Sequence, residues 1–270
     1  MADITIHDED LRKLRGKVIV VTGGSSGTGL ATVELLLGLG AAVVSGDAQP
    51  PPAPQVIYPS EGSAAFFTYV PTDIRVWGDL VQLFRRAVKV HGRVDHVFAS
   101  AGFPSLDDCF SSLSLDADGE LKEPSHAVLD VNLKGTINTA AMAIHHMQTQ
   151  DPQGGSVVLN SSITSPQRSD GVAHAVSQHG ILGFSRGLRS SLSATALPIR
   201  VNVLMLGKIS DKVVSGTAVA RGAAHLMADI TRHGHVVYVD NGQYREIEEA
   251  VILPAYRSVI GESESDDDAL

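Results

Sequence analysis

Residues 17–40 read KVIVVTGGSSGTGLATVELLLGLG, and the reading of this stretch decides the fold. Lys17 to Thr22 is a short β-branched run of the kind that fills a buried strand. Beyond it, Leu30, Val33, Leu36 and Leu37 recur at helical spacing, so one stripe of that segment faces a core. Between strand and helix stand Gly23, Gly27 and Gly29, which let the backbone turn tightly and present bare N–H groups at a helix N-terminus. Such a turn suits a pyrophosphate, although a plain tight turn uses the same residues.

Outward from this stretch the same alternation continues. AAVVSGD reads as a second strand ending on Asp47, about two dozen residues past the loop, where a carboxylate accepts hydrogen bonds from an adenosine ribose. Ala64 to Val70 reads as a third strand, and the prolines of AQPPPAPQVIYPSEGS before it forbid a regular crossover helix. Val76, Trp77, Leu80, Val81, Phe84 and Val88 form an amphipathic helical stripe, and RVDHVFAS returns the chain to the sheet. Residues 121–149 read as a long helix, GSVVLNSS as a strand, 173–193 as a helix, IRVNVLML as a strand and His235 to Asp240 as the last strand. The pattern predicts an α/β protein with a Rossmann-like, doubly wound parallel sheet in a single domain. Its boundaries are an N-terminal arm at 1–14, a dinucleotide-binding domain at 15–260 and a disordered acidic tail at 261–270.

Composition narrows the function. A chain of 270 residues, 43% of them hydrophobic, buries one sizeable core. The net charge of −9 and the lack of clustered Lys and Arg argue against a nucleic-acid partner. One cysteine, Cys109, excludes an intrachain disulfide framework, and the eleven histidines show no zinc-ligand spacing, so no metal is expected. The opening MADITIHDED reads as neither a signal nor a transit peptide, and no apolar run reaches membrane-spanning length. A reducing, cytoplasmic setting without a membrane partner is expected.

Thr22 to Gly29 matches Thr-Gly-x-x-x-Gly-x-Gly in full. With Thr72-Asp73 after the third strand, Ala101-Gly102 after the fourth, VNLKG at 131–135, Ser161-Ser162 and HGILGFSRGL at 179–188, the chain resembles the short-chain dehydrogenase/reductase family over roughly residues 15 to 245. The resemblance implies that Gly23, Ser25, Ser26, Gly27, Thr28 and Gly29 hold a diphosphate. It implies that Asp47 meets the adenosine ribose, that Asp73 meets the adenine, and that Ser100, Gly102 and Gly207 lie at the cofactor floor. With no Arg or Lys beside Asp47 in the sequence, NAD(H) is preferred and NADP(H) possible, because a 2′-phosphate would face an uncompensated carboxylate. The resemblance also implies a small-molecule alcohol or ketone as substrate and a homo-oligomer, dimer or tetramer, paired through the helices at 121–149 and 173–193. The ending DNGQYREIEEAVI resembles the Gly-Gly-x-x-x-Glu-Ile-Glu-Glu endings of fungal members associated with secondary metabolism.

The catalytic blocks are mixed. Ser162 matches the family's catalytic serine and Asn132 the asparagine that orders its relay water. The Tyr-x-x-x-Lys pair, however, falls on His174 and Gln178. Tyrosine, with a pKa near 10, needs a neighbouring cation to act at neutral pH, whereas histidine titrates at about 6.5 and needs none. Losing lysine together with tyrosine is therefore chemically coherent. Gln178 still offers an amide to ribose hydroxyls, and one bridging water makes up for the shorter reach of imidazole. Family Asn-Asn-Ala-Gly becomes Ala99 to Gly102, family Pro-Gly becomes Leu206-Gly207, and only about fifteen residues separate Gly207 from AAHLMADI, implying a shortened lid. The expectations are an oxidoreductase using Asn132, Ser162, His174 and Gln178 or, alternatively, a redox-inactive fold that serves as an isomerase, a cyclase or a binding or regulatory protein. A chain unable to bind dinucleotide ranks last. Arg168 and Asp170 stand in the loop before His174, where they could take over acid/base or anchoring work or simply be solvated; Ser161 is expected to pack or bond locally, and His145-His146 to have a surface or packing role. Substrate identity rests with the loops at 103–120 and 208–222, which hold no readable motif.

Overall fold

The computed structural model describes residues 2–52, 66–102, 113–167, 171–207 and 215–261. Among the described residues, nine strands form one sheet: β1 (Ala2–Ile4), β2 (Val18–Thr22), β3 (Ala42–Asp47), β4 (Phe67–Pro71), β5 (His96–Ala99), β6 (Gly155–Ser162), β7 (Ile199–Leu206), β8 (Val236–Asp240) and β9 (Gln243–Glu246). Their spatial order is β1-β9-β8-β7-β6-β5-β2-β3-β4. Every pairing from β8 to β4 is parallel, and β9 runs antiparallel to both β8 and β1. The helices are α1 (Asp8–Leu11), α2 (Gly27–Gly38), α3 (Trp77–His91), α4, α5 (Val172–Ser193), α6 (Gly216–Ala228) and α7 (Leu253–Ile260). Helix α4 opens as Ala127–Leu129, passes through a π-helical turn at Asp130–Gly135 and continues as Thr136–Thr149. This is the expected single-domain, Rossmann-like doubly wound fold.

Alternation along the strands builds two cores. Ile19, Val21, Val43 and Phe98 face the layer of α2 and α6, while Val20, Val44 and Val97 face that of α3, α4 and α5. Strands buried on both faces read as continuous apolar runs, which is why β2 is buried at all five positions. The chain winds outward from β2 through β3 and β4, then crosses to β5 on the other side of β2. The loops leaving β2 and β5 therefore part at their carboxyl ends, and the crevice between them is where such sheets bind ligands.

The third strand of the sequence reading, given as Ala64 to Val70, runs Phe67–Pro71 among the described residues, and three further features depart from that reading. The fourth helix begins at Ala127 rather than at 121, because Pro124 is ill suited to a helix interior and Leu121 instead bridges Leu115 in an antiparallel pair. His235–Asp240 is not the last strand: Asn241, at φ 47°, and Gly242 turn the chain into β9. Residues 2–14, read as an arm, pack against the body. Ala2–Ile4 pairs with β9, Leu11 and Leu14 are buried in the α2–α6 core, and Arg221 binds Asp8 at 2.6 Å.

The C-terminal Glu-Ile-Glu-Glu run has a structural reason. Buried Glu246 accepts hydrogen bonds from the amides of Glu248, Glu249 and Ala250, capping the turn that leads into α7. Buried Glu248 receives a bidentate pair from Arg186 at 2.6 and 3.0 Å. Among the described residues, no helix is long and apolar enough to cross a membrane.

Candidate active site

The loop between β2 and α2 is built around absent side chains. Gly23 has φ +76°, and a Cβ there would lie 2.7 Å from Ala101 Cα, so the loops leaving β2 and β5 touch backbone to backbone. A Cβ on Gly29 would collide with the carbonyl oxygen of Gly23. Asp47 stands behind this loop: its Oδ2 accepts the Ser25 amide at 3.0 Å and its Oδ1 the Gln49 amide at 2.9 Å. A cavity of about 490 Å³ runs along the loop and is bordered by Asp47, Asp73 and Ser100 to Gly102. Gly23, Ser26, Gly27, Thr28 and Gly29 line it as expected. Ser25 does not; it is buried behind the loop, with its Oγ unpartnered.

One residue on this wall escaped the sequence reading. Arg75 lines the cavity and grips Asp73, with Nε 3.0 Å from both carboxylate oxygens and Nη2 2.6 Å from Oδ2. The hydrogen bonds from Arg75 hold the Asp73 carboxyl below the ordinary carboxylate range, against the opposing effect of burial. The i, i+2 spacing after Thr72-Asp73 was the available signal, because it returns a long side chain to the strand end.

Gly27, Thr28 and Ser100 to Gly102 also border a second cavity of about 580 Å³, and there the structure gathers Asn132, Ser162, His174, Gln178 and Gly207. Asn132 sits, buried, in the π-helical turn, an element frequent at functional sites. A Cβ on Gly102 would stand 3.1 Å from Asn132 Oδ1, so glycine leaves the amide room. Gly207 is likewise enclosed: a Cβ there would lie 2.9 Å from Asp240 Oδ1 and 3.0 Å from Tyr238 Oη.

Ser162, at the end of β6, accepts the Thr164 amide on its Oγ at 3.3 Å. Ser161, pointing inward, donates to Gln178 Oε1 at 3.2 Å and lies 2.6 Å from Ser165 Oγ, which donates to the Ser162 carbonyl. The pair with Ser165 is local, and the bond across to α5 fixes Gln178. His174 occupies the first turn of α5 with Gln178 one turn later, so both project to one side of the helix. Burial pushes the His174 pKa below the usual imidazole value, and its Nδ1 is buried without a hydrogen-bond partner. His146 stacks on Phe84 at 5.5 Å, and the exposed His145 meets its edge, so one histidine packs and the other lies at the surface. Cys109, Arg168, Asp170 and the segment after Gly207 up to 214 lie outside the described residues.

Comparison with known proteins places this geometry. The short chain dehydrogenase family model matches residues 17–221. The chain is 42% identical over 275 residues to the short-chain dehydrogenase/reductase ascJ of Acremonium egyptiacum, covering 96% of this chain and 90% of that one. It is 37% identical to the short-chain dehydrogenase/reductase prx4 of Penicillium roqueforti over 194 residues, 71% of this chain and 55% of that protein. The fold matches a crystal structure of a short-chain dehydrogenase/reductase (glucose/ribitol dehydrogenase) from Brucella melitensis with a TM-score of 0.71 at 21% identity, covering 85% of this chain and 97% of the other. A glycine loop at the sheet's switch point, a second cavity continuous with it and a family match across both halves of the site have one conclusion: the chain belongs to the short-chain dehydrogenase/reductase family of oxidoreductases.

Proposed function

We propose that the chain moves a hydride between a nicotinamide dinucleotide, NAD(H) in preference to NADP(H), and the oxygen-bearing carbon of a small-molecule alcohol or ketone. The observation that carries this reading is the wall common to the two cavities. A dinucleotide held by the Gly23–Gly29 loop, with its adenosine end at Asp47, would have Thr28 and Ser100 to Gly102 between it and the space that holds Ser162 and His174, since those residues border both cavities. The residues fit such a group: Gly23, Gly27 and Gly29 line the cavity beside the short polar side chains of Ser26 and Thr28, and α2 begins at Gly27 on its wall, where a helix N-terminus suits a phosphate.

When bound, the cofactor supplies the hydride acceptor or donor. The chain's own residues handle the oxygen and the proton. Ser162 donates its hydroxyl hydrogen to the substrate oxygen. His174, whose pKa burial lowers, is the base that takes the alcohol proton as the carbon is oxidised and the acid that returns it in the reverse direction. Gln178, with Oε1 engaged by Ser161, keeps its amide N–H groups for a ribose hydroxyl. Asn132 holds the water that returns the proton to solvent. Asp47 favours a free 2′-hydroxyl, and Arg75 is committed to Asp73 rather than poised for a phosphate. Family membership supports assembly as a homo-oligomer.

The test is a fluorescence titration with NADH and NADPH, followed by a screen of alcohols and ketones that reads nicotinamide absorbance. Tighter NADH binding with turnover is the expected result. Binding without turnover of any alcohol or ketone would leave a redox-inactive fold, and binding of neither dinucleotide would overturn the reading.

A further inference from the structure

Asp73 and Arg75, on the turn from β4 into α3, both border the cavity that runs along the glycine loop, and their side chains are 29% and 51% exposed. The backbone of this turn is fixed: the Asp73 amide donates to Asp79 Oδ2 at 3.0 Å, and the Asp73 carbonyl accepts the Val76 amide at 2.8 Å. A carboxylate offers about four lone-pair sites, and Arg75 engages both oxygens on two sides each. Oδ1 accepts the Arg75 amide at 2.9 Å and Nε at 3.0 Å, while Oδ2 accepts the same Nε–H at 3.0 Å and Nη2 at 2.6 Å. Exposed ion pairs are weak in general, but a guanidinium edge and a backbone amide on one carboxylate hold their geometry. The groups the pair has left over are donors. Nη1 and the second N–H of Nη2 have no hydrogen-bond partner among the described residues, and a guanidinium donates but never accepts.

We propose that Arg75 closes Asp73 to the cofactor and meets the purine in its place, so that the pocket does not select for the 6-amino group of adenine and takes a 6-oxopurine dinucleotide equally well. The inference rests on the assignment of this cavity to the adenosine half of a dinucleotide. A 6-amino group is a donor, and reading it requires an open acceptor. Asp73, with its lone pairs engaged, is not one. The spare N–H groups of Arg75 are satisfied by acceptors, which both bases carry at their ring nitrogens and the 6-oxopurine also at O6. A site that hydrogen-bonds a group rejects the analogue lacking it, whereas a group left unbonded is lost at no cost.

The experiment is a fluorescence titration of the full chain with NADH and with deamino-NADH, in which hypoxanthine replaces adenine and the nicotinamide that reports binding is unchanged. The parent binds the two with a ratio of about one. Arg75→Met keeps an unbranched stem, leaves the backbone amide on Asp73 Oδ1 and strips both bonds from Oδ2. With an acceptor open, this variant prefers NADH about tenfold, the discrimination of one hydrogen bond to a charged group. Adding Asp73→Ala to Arg75→Met returns the ratio to about one, and thermal unfolding confirms that both variants fold. A parent that already prefers NADH about tenfold, an Arg75→Met ratio that stays at the parent value, or a preference that survives loss of the Asp73 carboxylate would each overturn the proposal. Binding of neither dinucleotide to the parent would instead overturn the assignment of the cavity to a dinucleotide.

Discussion

His96 on β5 offers a quantitative test of how burial governs this protein. Its ring is buried at the foot of the sheet, with Nδ1 2.8 Å from Ser156 Oγ, and burial drives its pKa from 6.5 down to about 3. The nearby Asp95 carboxylate works in the opposite direction without prevailing. Because the folded pKa is depressed, the neutral ring's contribution is fully present above the unfolded value of about 6.5 and is lost as pH falls from there toward 3. Between about pH 7.5 and pH 5 the unfolded chain gains this proton and the folded chain does not, which removes about 2 kcal/mol of stability. His174, His225 and His233 are shifted in the same direction, so the parent's total decline exceeds that of His96 alone. The assay is urea unfolding of the parent and of His96→Gln at both pH values. The variant's decline between the two should be smaller by about 2 kcal/mol, whatever its stability at pH 7.5. Equal declines would show that His96 titrates normally in the folded state and would refute the reasoning.

Gly29→Ala drives a Cβ into the Gly23 carbonyl, and strain of about 1–3 kcal/mol at the loop should weaken NADH binding roughly 5- to 150-fold, read by nicotinamide fluorescence. His174→Ala should lower turnover by about 10² to 10⁴ with dinucleotide affinity retained; unchanged turnover would remove His174 from proton transfer. Burial opposes ionisation of Glu246, but the His235 imidazole, with Nδ1 3.6 Å from Oε1, and hydrogen bonds from the Glu249 and Ala250 amides outweigh it and depress its pKa. Glu246→Gln should therefore cost about 1.5–3 kcal/mol above the unfolded carboxyl pKa of about 4.5, and progressively less as pH falls through the depressed value, measured as the parent-minus-variant difference in urea unfolding.

The elements legible in the sequence were those whose burial repeats a simple period. β7 matched residue for residue, and α5 to within one residue, because a strand covered on both faces and a long two-sided helix are written in consecutive side chains. β1 and β9 were not, since three or four residues with exposed positions carry no period and owe their strand state to the partner they meet. The site divided in the same way. Its glycines, Asp47 and Ser162 stand in local motifs, whereas the bond of Ser161 to Gln178 is a tertiary fact, and the grip of Arg75 on Asp73 is a local pair that no motif marks. The π-helical turn around Asn132 left no mark on the sequence either, because one widened turn hardly disturbs the apolar stripe.

The pairing of β1 with β9 bears on how the protein behaves when concentrated. A sheet that ended at β9 would offer a row of unpaired backbone groups beside the half-apolar Tyr244, a template on which another chain could polymerise. Ala2–Ile4 covers that row with a strand of only three residues, two of them exposed, and Arg245 holds Asp3 at 3.2 Å. The edge that remains is too short to recruit a neighbour. A purification tag joined directly to residue 2 would load this seal, so a tag placed elsewhere or set off by a flexible spacer best preserves a non-aggregating preparation.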